Sequence, residues 1–269
     1  MTAFVNHFSF EFRTGIREKT LLLMNYLFPL GFYFMVSLFM GQLNPYFHET
    51  MLPGMIVFTI ITATILGLPN PLVSARESGI YRSYKINGVP AMSILTIPAL
   101  STMIHVIIAA IIITATAPIF FGATLPVNWP TFVLIVLVTA FVCAGFGVLI
   151  GVISKNTRVT ILWSQLIFLP SMMLGGIMVP NNILPPILSK ISMLLPATYA
   201  TNALQGLSFN RDVSFSSSWS LAILLASGIL AFVLASYLFS WDSRNTTRRG
   251  HSLMALLVLA PFIIGMVLL

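Results

Sequence analysis

Charge is what this sequence lacks most. Only 7% of its 269 residues are Asp, Glu, Lys or Arg, against roughly 25% in soluble domains. With 58% hydrophobic residues, no soluble fold of that length could cover its own surface. The chain reads as an integral membrane protein. Its apolar runs are helix-length, not alternating segments of about ten residues, which excludes an outer-membrane barrel. The single cysteine, Cys143, lies inside an apolar run, so no disulfide framework exists. No Gly-x-x-x-x-Gly-Lys-Ser/Thr loop occurs, which removes ATP binding by that route. His and Cys residues lack metal-ligand spacing, and no nucleophile has an acid–base partner beside it. The chain is therefore not read as an enzyme. Its net charge of +7 comes from bases scattered over short loops, so nucleic acid is not expected as a partner.

What is present is a series of apolar segments: 21–40, 51–71, 92–121, 131–153, 159–179, 219–240 and 253–269. Each approaches the 17–25 residues that cross about 30 Å of hydrocarbon. Arg13, Arg17, Lys19, Arg76, Arg82, Lys85, Lys155, Arg158, Arg244, Arg248 and Arg249 all fall on one side of these spans. Those are eleven of the thirteen basic residues, with only Lys190 and Arg211 on the other side. The bias predicts a cytoplasmic N-terminus. Trp129, Trp219 and Trp241 stand at predicted span ends, at headgroup level. Residues 1–20 lack the pattern of a signal peptide. They read as an amphipathic interfacial helix with Phe4, Phe8 and Phe12 on one face. The spans contain no Asp, Glu, Lys or Arg, whereas an ion-coupled carrier needs an intramembrane group that changes charge. His105 and Gln165 are the strongest polar groups there, and His105 is expected to bond one helix to another.

Two stretches between spans stand out. Ser74–Pro90 reads SARESGIYRSYKINGVP. Ser74 and Glu77 have capping-box spacing at the start of a short helix. Tyr81, Tyr84 and Ile86 lie among Arg76, Arg82 and Lys85, and Gly88-Val89-Pro90 ends the element. The stretch is either a topogenic loop or a docking knob, and Tyr and Arg favour docking. Met178–Tyr199, MVPNNILPPILSKISMLLPATY, carries four prolines and cannot be a clean spanning helix. Pro180 follows span five, Pro185-Pro186 start a helix, and Pro196 breaks it. A short broken hairpin dipping into the outer leaflet is expected, with an amphipathic surface helix as the alternative.

Three features resemble the permease subunits of type-2 ABC exporters, the group of drug-resistance, polysaccharide and lipid-export permeases. Ala75-Arg76-Glu77-Ser78-Gly79 is similar to the family's Glu-Arg-Glu-x-Gly element, with Gly88-Val89-Pro90 following. An amphipathic helix precedes span one. Leu195-Pro196-Ala197-Thr198-Tyr199, then Ala203-Leu204-Gln205-Gly206-Leu207, resembles the signature between spans five and six. The resemblance implies an all-α polytopic membrane protein, the type-2 ABC exporter transmembrane domain with six core spans. Residues 1–20 would be the interfacial helix, and 21–245 the permease domain with a coupling loop at 74–90 and an extracytoplasmic re-entrant region at 178–212. It further implies two ABC ATPase subunits that bind ATP and Mg, since this chain binds no cofactor. They would dock on the N-terminal helix and on Ser74–Pro90, through Arg76, Glu77, Gly79, Tyr81, Arg82, Tyr84 and Lys85. Pro180, Pro185, Pro186, Pro196 and Tyr199 would form the outer gate. A second permease copy or a homologous permease, and membrane lipid, would complete the assembly in the cell (plasma or inner) membrane. Spans rich in Met, Phe and Ile suit a hydrophobic or amphipathic substrate, such as a drug, natural product or lipid-like molecule. A non-transporting scaffold or a stand-alone secondary carrier is the alternative. Two departures are visible: Ala75 replaces an acidic residue, and 246–269 adds an apolar segment. That segment is expected to form a seventh, short span, kinked at Pro261 and packed at the periphery.

Overall fold

Inside hydrocarbon a backbone must satisfy its own hydrogen bonds, and helices do so within one segment. The computed structural model describes residues 2–43, 47–179, 181–242 and 250–268, and no strand occurs among them. Pro180, Arg244, Arg248, Arg249 and Leu269, which carry parts of the sequence reading, lie outside the described residues. The helices are α1 (Thr2–Arg17), α2 (Lys19–Gln42) and α3 (Phe47–Glu77). Next come α4 (Ile80–Ile86), α5 (Ala91–Phe121), α6 (Trp129–Ile153) and α7 (Thr157–Leu174). A hairpin of α8 (Pro186–Ser192) and α9 (Pro196–Ala203) precedes α10 (Ser217–Leu238) and α11 (Ser252–Leu268).

Five of these, α2, α3, α5, α6 and α10, are long and apolar enough to cross a membrane. Helix α7 has 18 residues, about 27 Å at 1.5 Å per residue. Local chemistry sets the helix starts. Asn128 Oδ1 accepts the Thr131 N–H at 3.3 Å ahead of α6, and Asn156 Oδ1 accepts the Val159 N–H at 3.0 Å ahead of α7. Both are side-chain N-caps.

Helix α3 is the centre of the bundle, with 94% of its apolar window buried. It does not stop at residue 71 as the hydropathy predicts. A π turn at Thr62–Gly67 carries it on to Glu77. Ser74 therefore sits inside α3 and caps nothing, which corrects the capping-box reading. The π turn lies against α6: a Cβ on Gly147 would come within 2.1 Å of the Thr64 carbonyl oxygen. Only glycine permits that approach. Helix α7 ends at Leu174 rather than near 179, because Gly176 takes a left-handed φ of 76° and turns the chain.

The bundle has two distinct ends. One gathers α1, the start of α2, the end of α3, α4, the loop after α6 and the residues after α10. The other gathers the loops around Glu49, Thr124, Asn128 and Arg211, where Arg211 donates to Thr124 Oγ1 at 2.7 Å and Thr124 to the Glu49 carbonyl at 3.1 Å. Every described basic residue except Lys190 and Arg211 belongs to elements of the first, basic end.

Candidate functional site

At the basic end, α4 is fixed on three sides. Gly79, at φ 80°, lets the chain reverse from α3 into α4. Immediately before it, the buried Arg76 guanidinium donates to the Val152 carbonyl at 2.8 Å and to the Ser154 carbonyl. A cation therefore satisfies the last carbonyls of α6, where the helix dipole favours positive charge. Thr157 Oγ1 donates to Glu77 Oε2 at 3.3 Å, joining α7 to the same corner. Tyr81 is only 5% exposed, and its ring lies 5.9 Å from Phe239, just past α10. Burial pushes the Tyr81 hydroxyl well above the ordinary phenol range, so it stays neutral. Arg82 forms an ion pair with Asp242, and Tyr84 meets His7 of α1 edge-on at 5.7 Å.

Of the seven residues expected to face a partner, Arg76 and Tyr81 are instead turned into this chain. Their side chains hold α4 in place. Glu77, Arg82 and Lys85 are exposed, Tyr84 is half-buried, and Gly79 shapes the turn. Ile86, 80% exposed, and Ile80, 44% exposed, are the large apolar groups on the free face of α4. The sequence shows Ile86 only as part of the loop and gives no sign of Ile80, because six residues is not a same-face spacing on an α-helix.

Helix α1 completes this end. Phe8 and Phe12 stack at 6.2 Å, and Phe12 stacks on His105 at 4.4 Å. His105 is buried, with Nδ1 2.7 Å from the Tyr26 hydroxyl and Nε2 3.1 Å from the Phe12 carbonyl. It ties α1, α2 and α5 together, as expected of a lone intramembrane histidine. Phe4, one turn before Phe8 on the same face of α1, is 47% exposed. Burial raises the Glu11 carboxyl above the usual carboxylate range. Between α1 and α4 runs a groove of about 630 Å³ bordered by His7, Phe10, Tyr84 and Asn87.

At the opposite end, the proline-rich stretch folds as two helical arms. Pro185 caps α8, Pro186 opens it, and Pro196 opens α9. Pro196 thus starts the second arm, where its missing N–H costs nothing, and the first arm has already ended at Ser192. The α8 arm keeps Ile187 74% exposed, whereas Tyr199 on α9 is fully buried. The Tyr199 ring stacks on Phe262 of α11 at 5.2 Å and meets Phe215 edge-on at 5.5 Å. Its hydroxyl donates to the Phe262 carbonyl at 3.4 Å. Tyr199 faces protein, and α11 is what covers it.

Helix α11 begins with eight residues of 3₁₀ geometry, Ser252–Leu259, and continues as the α-helix Ala260–Leu268. The change coincides with Pro261, which sits in the first turn of the α segment. At about 2.0 and 1.5 Å per residue the whole element reaches about 30 Å. Seventeen residues of α-helix alone would fall short of the hydrocarbon thickness. One face of α11 is exposed, as the peripheral reading requires, but Phe262 is fully buried and 6.0 Å from Phe146 of α6. The element reaches further into the bundle than its sequence indicates.

The family model described as ABC-2 type transporter matches residues 3–209. The chain belongs to that family. It is the transmembrane subunit of an ABC transporter, a multi-pass membrane protein that contributes the transport pathway. Members generally pair with ABC ATPase subunits. Helices α10 and α11 lie beyond the matched residues. No curated protein and no solved structure matches this ABC-2 chain.

Proposed function

We propose that this chain is one of two permeases, identical or homologous, that export a hydrophobic or amphipathic molecule across the cell membrane. Two separate ATPase subunits, which carry the ATP and Mg, dock at the basic end, and that end faces the cytoplasm. The observation that carries the reading is the clamping of α4. Arg76 ties the end of α3, from which α4 hangs, to α6. Tyr81 and Arg82 join α4 to the residues after α10, and Tyr84 joins it to α1, so a push on α4 is passed to three parts of the bundle. A loosely held topogenic loop has no need of such bracing. The free face of α4, with Ile80, Lys85 and Ile86, and the groove beside α1 supply apolar anchors ringed by positive charge. Apolar spans without internal charge suit an apolar or amphipathic cargo. The hairpin of α8 and α9 lies at the far end, where a pathway would open outward.

A Tyr81→Ala, Arg82→Glu double variant would probe α4 directly. With Tyr81 buried, that variant would loosen the fold as well as the surface. The better test is Lys85→Glu with Ile86→Asp, both exposed. In mild detergent the wild-type chain should retain an ATPase subunit. Loss of one hot spot of about 2 kcal/mol weakens that association roughly 30-fold. Equal retention by the double variant, in a protein that still folds, would refute docking at α4.

A further inference from the structure

A second feature lies inside the bundle, away from α4. Helices α6 and α7, the start of α9 and the 3₁₀ part of α11 enclose a cavity of about 450 Å³, within the roughly 300–1,000 Å³ of small-molecule sites. Its walls are apolar, with Leu149 and Ile153 of α6, Trp163 and Ile167 of α7, and Leu256 of α11. The deep end lies toward the contact of Phe146 with Phe262. The charged and hydroxyl-bearing lining residues are Lys155 and Ser252. Both stand at the basic end, one just past α6 and the other at the start of α11. From Phe146 to Ile153 the cavity follows two turns of α6, about 10 Å, or most of one leaflet of a hydrocarbon layer about 30 Å thick.

We propose that this cavity binds an anionic phospholipid from the leaflet at the basic end, with one acyl chain in the cavity and the phosphate on Lys155. Three observations support that occupant. The polarity runs from a cation at the mouth to hydrocarbon walls at depth, which is the polarity of an anionic amphiphile. Lys155 is exposed, and no salt bridge to it forms among the described residues. The acid in that corner, Glu77, accepts a hydrogen bond from Thr157 instead, and the neighbouring Arg158 is also exposed. Finally, Leu166 of α7 and Leu256 of α11 line the cavity yet remain 62% and 49% exposed. The gap between those two helices therefore opens sideways to the bilayer, where a lipid enters without crossing water. Water is a poor occupant, because apolar cavities stay dry.

Native mass spectrometry of the purified, delipidated full chain titrated with phosphatidylglycerol or phosphatidylcholine tests this. The wild type should hold phosphatidylglycerol at least tenfold more tightly. Lys155→Glu should abolish that preference while Lys155→Arg keeps it, and Leu256→Trp, which fills the cavity, should weaken both lipids tenfold or more. A photoactivatable acyl chain on phosphatidylglycerol should crosslink the wild type within 146–167 and 252–259. Equal affinity for the two headgroups, unchanged binding in Lys155→Glu, or crosslinks confined to other helices would overturn the proposal. These readouts need neither ATPase nor transport, so they stand apart from the test of docking at α4.

Discussion

Arg76 shows how one side chain can join two helices. Its guanidinium bridges the Val152 and Ser154 carbonyls, a geometry that needs the planar fork of Arg. Removing it leaves buried acceptors unsatisfied, at about 1–3 kcal/mol each. Arg76→Ala is expected to lower the thermal midpoint in detergent by several degrees, and Arg76→Lys to recover only part of the loss. Because α4 hangs from this corner, Arg76→Ala should also expose Tyr81, read as faster proteolysis between 77 and 90. An unchanged midpoint would show that Arg76 does not brace the corner. The sequence offered Arg76 and Tyr81 as partner contacts because Tyr and Arg favour interfaces. Nothing in a short loop helix states which face turns inward. That is set by Ser154, 78 residues away, and by Phe239, which follows another helix.

At the scale of elements, long apolar periodicity was legible and local backbone geometry was not. Hydropathy located α2, α3, α5, α6 and α10 to within a few residues, because each must cover roughly the same hydrocarbon thickness. It ended α3 too early, since a π turn leaves no hydropathy signal. The prolines of the 178–199 stretch mark a break between two short helices, but Pro196 starts an arm where it was expected to end one. The helical tail was foreseen, and its 3₁₀ stretch and the seat of Phe262 were not. That seat is testable. With cysteine placed at 194 in a Cys143→Ser background, Phe262→Ala should speed labelling by a thiol reagent. A packing loss of roughly 1–2 kcal/mol shifts an opening equilibrium about 5- to 30-fold. Identical labelling rates would mean that α11 does not restrain the hairpin.

For the whole molecule, the two ends differ in charge and in what they build. The basic end holds the braced helix α4, and the far end holds the hairpin. If the basic end faces the cytoplasm and α11 crosses, a reporter that fluoresces only in the cytoplasm should glow when fused after Asn245 and stay dark after Leu269. Two glowing fusions would mean that α11 does not traverse the bilayer, and a dark fusion after Asn245 with a glowing one after Leu269 would invert the orientation. The contact between Tyr199 and Phe262 also bears on the order in which the protein is made. These residues are 63 positions apart in the chain, and ribosomes add roughly 5–20 residues per second. For about three to thirteen seconds, then, the hairpin exists without the helix that covers it. During that interval its aromatic ring must be shielded by lipid or by the insertion machinery, and assembly of the bundle concludes only when α11 arrives.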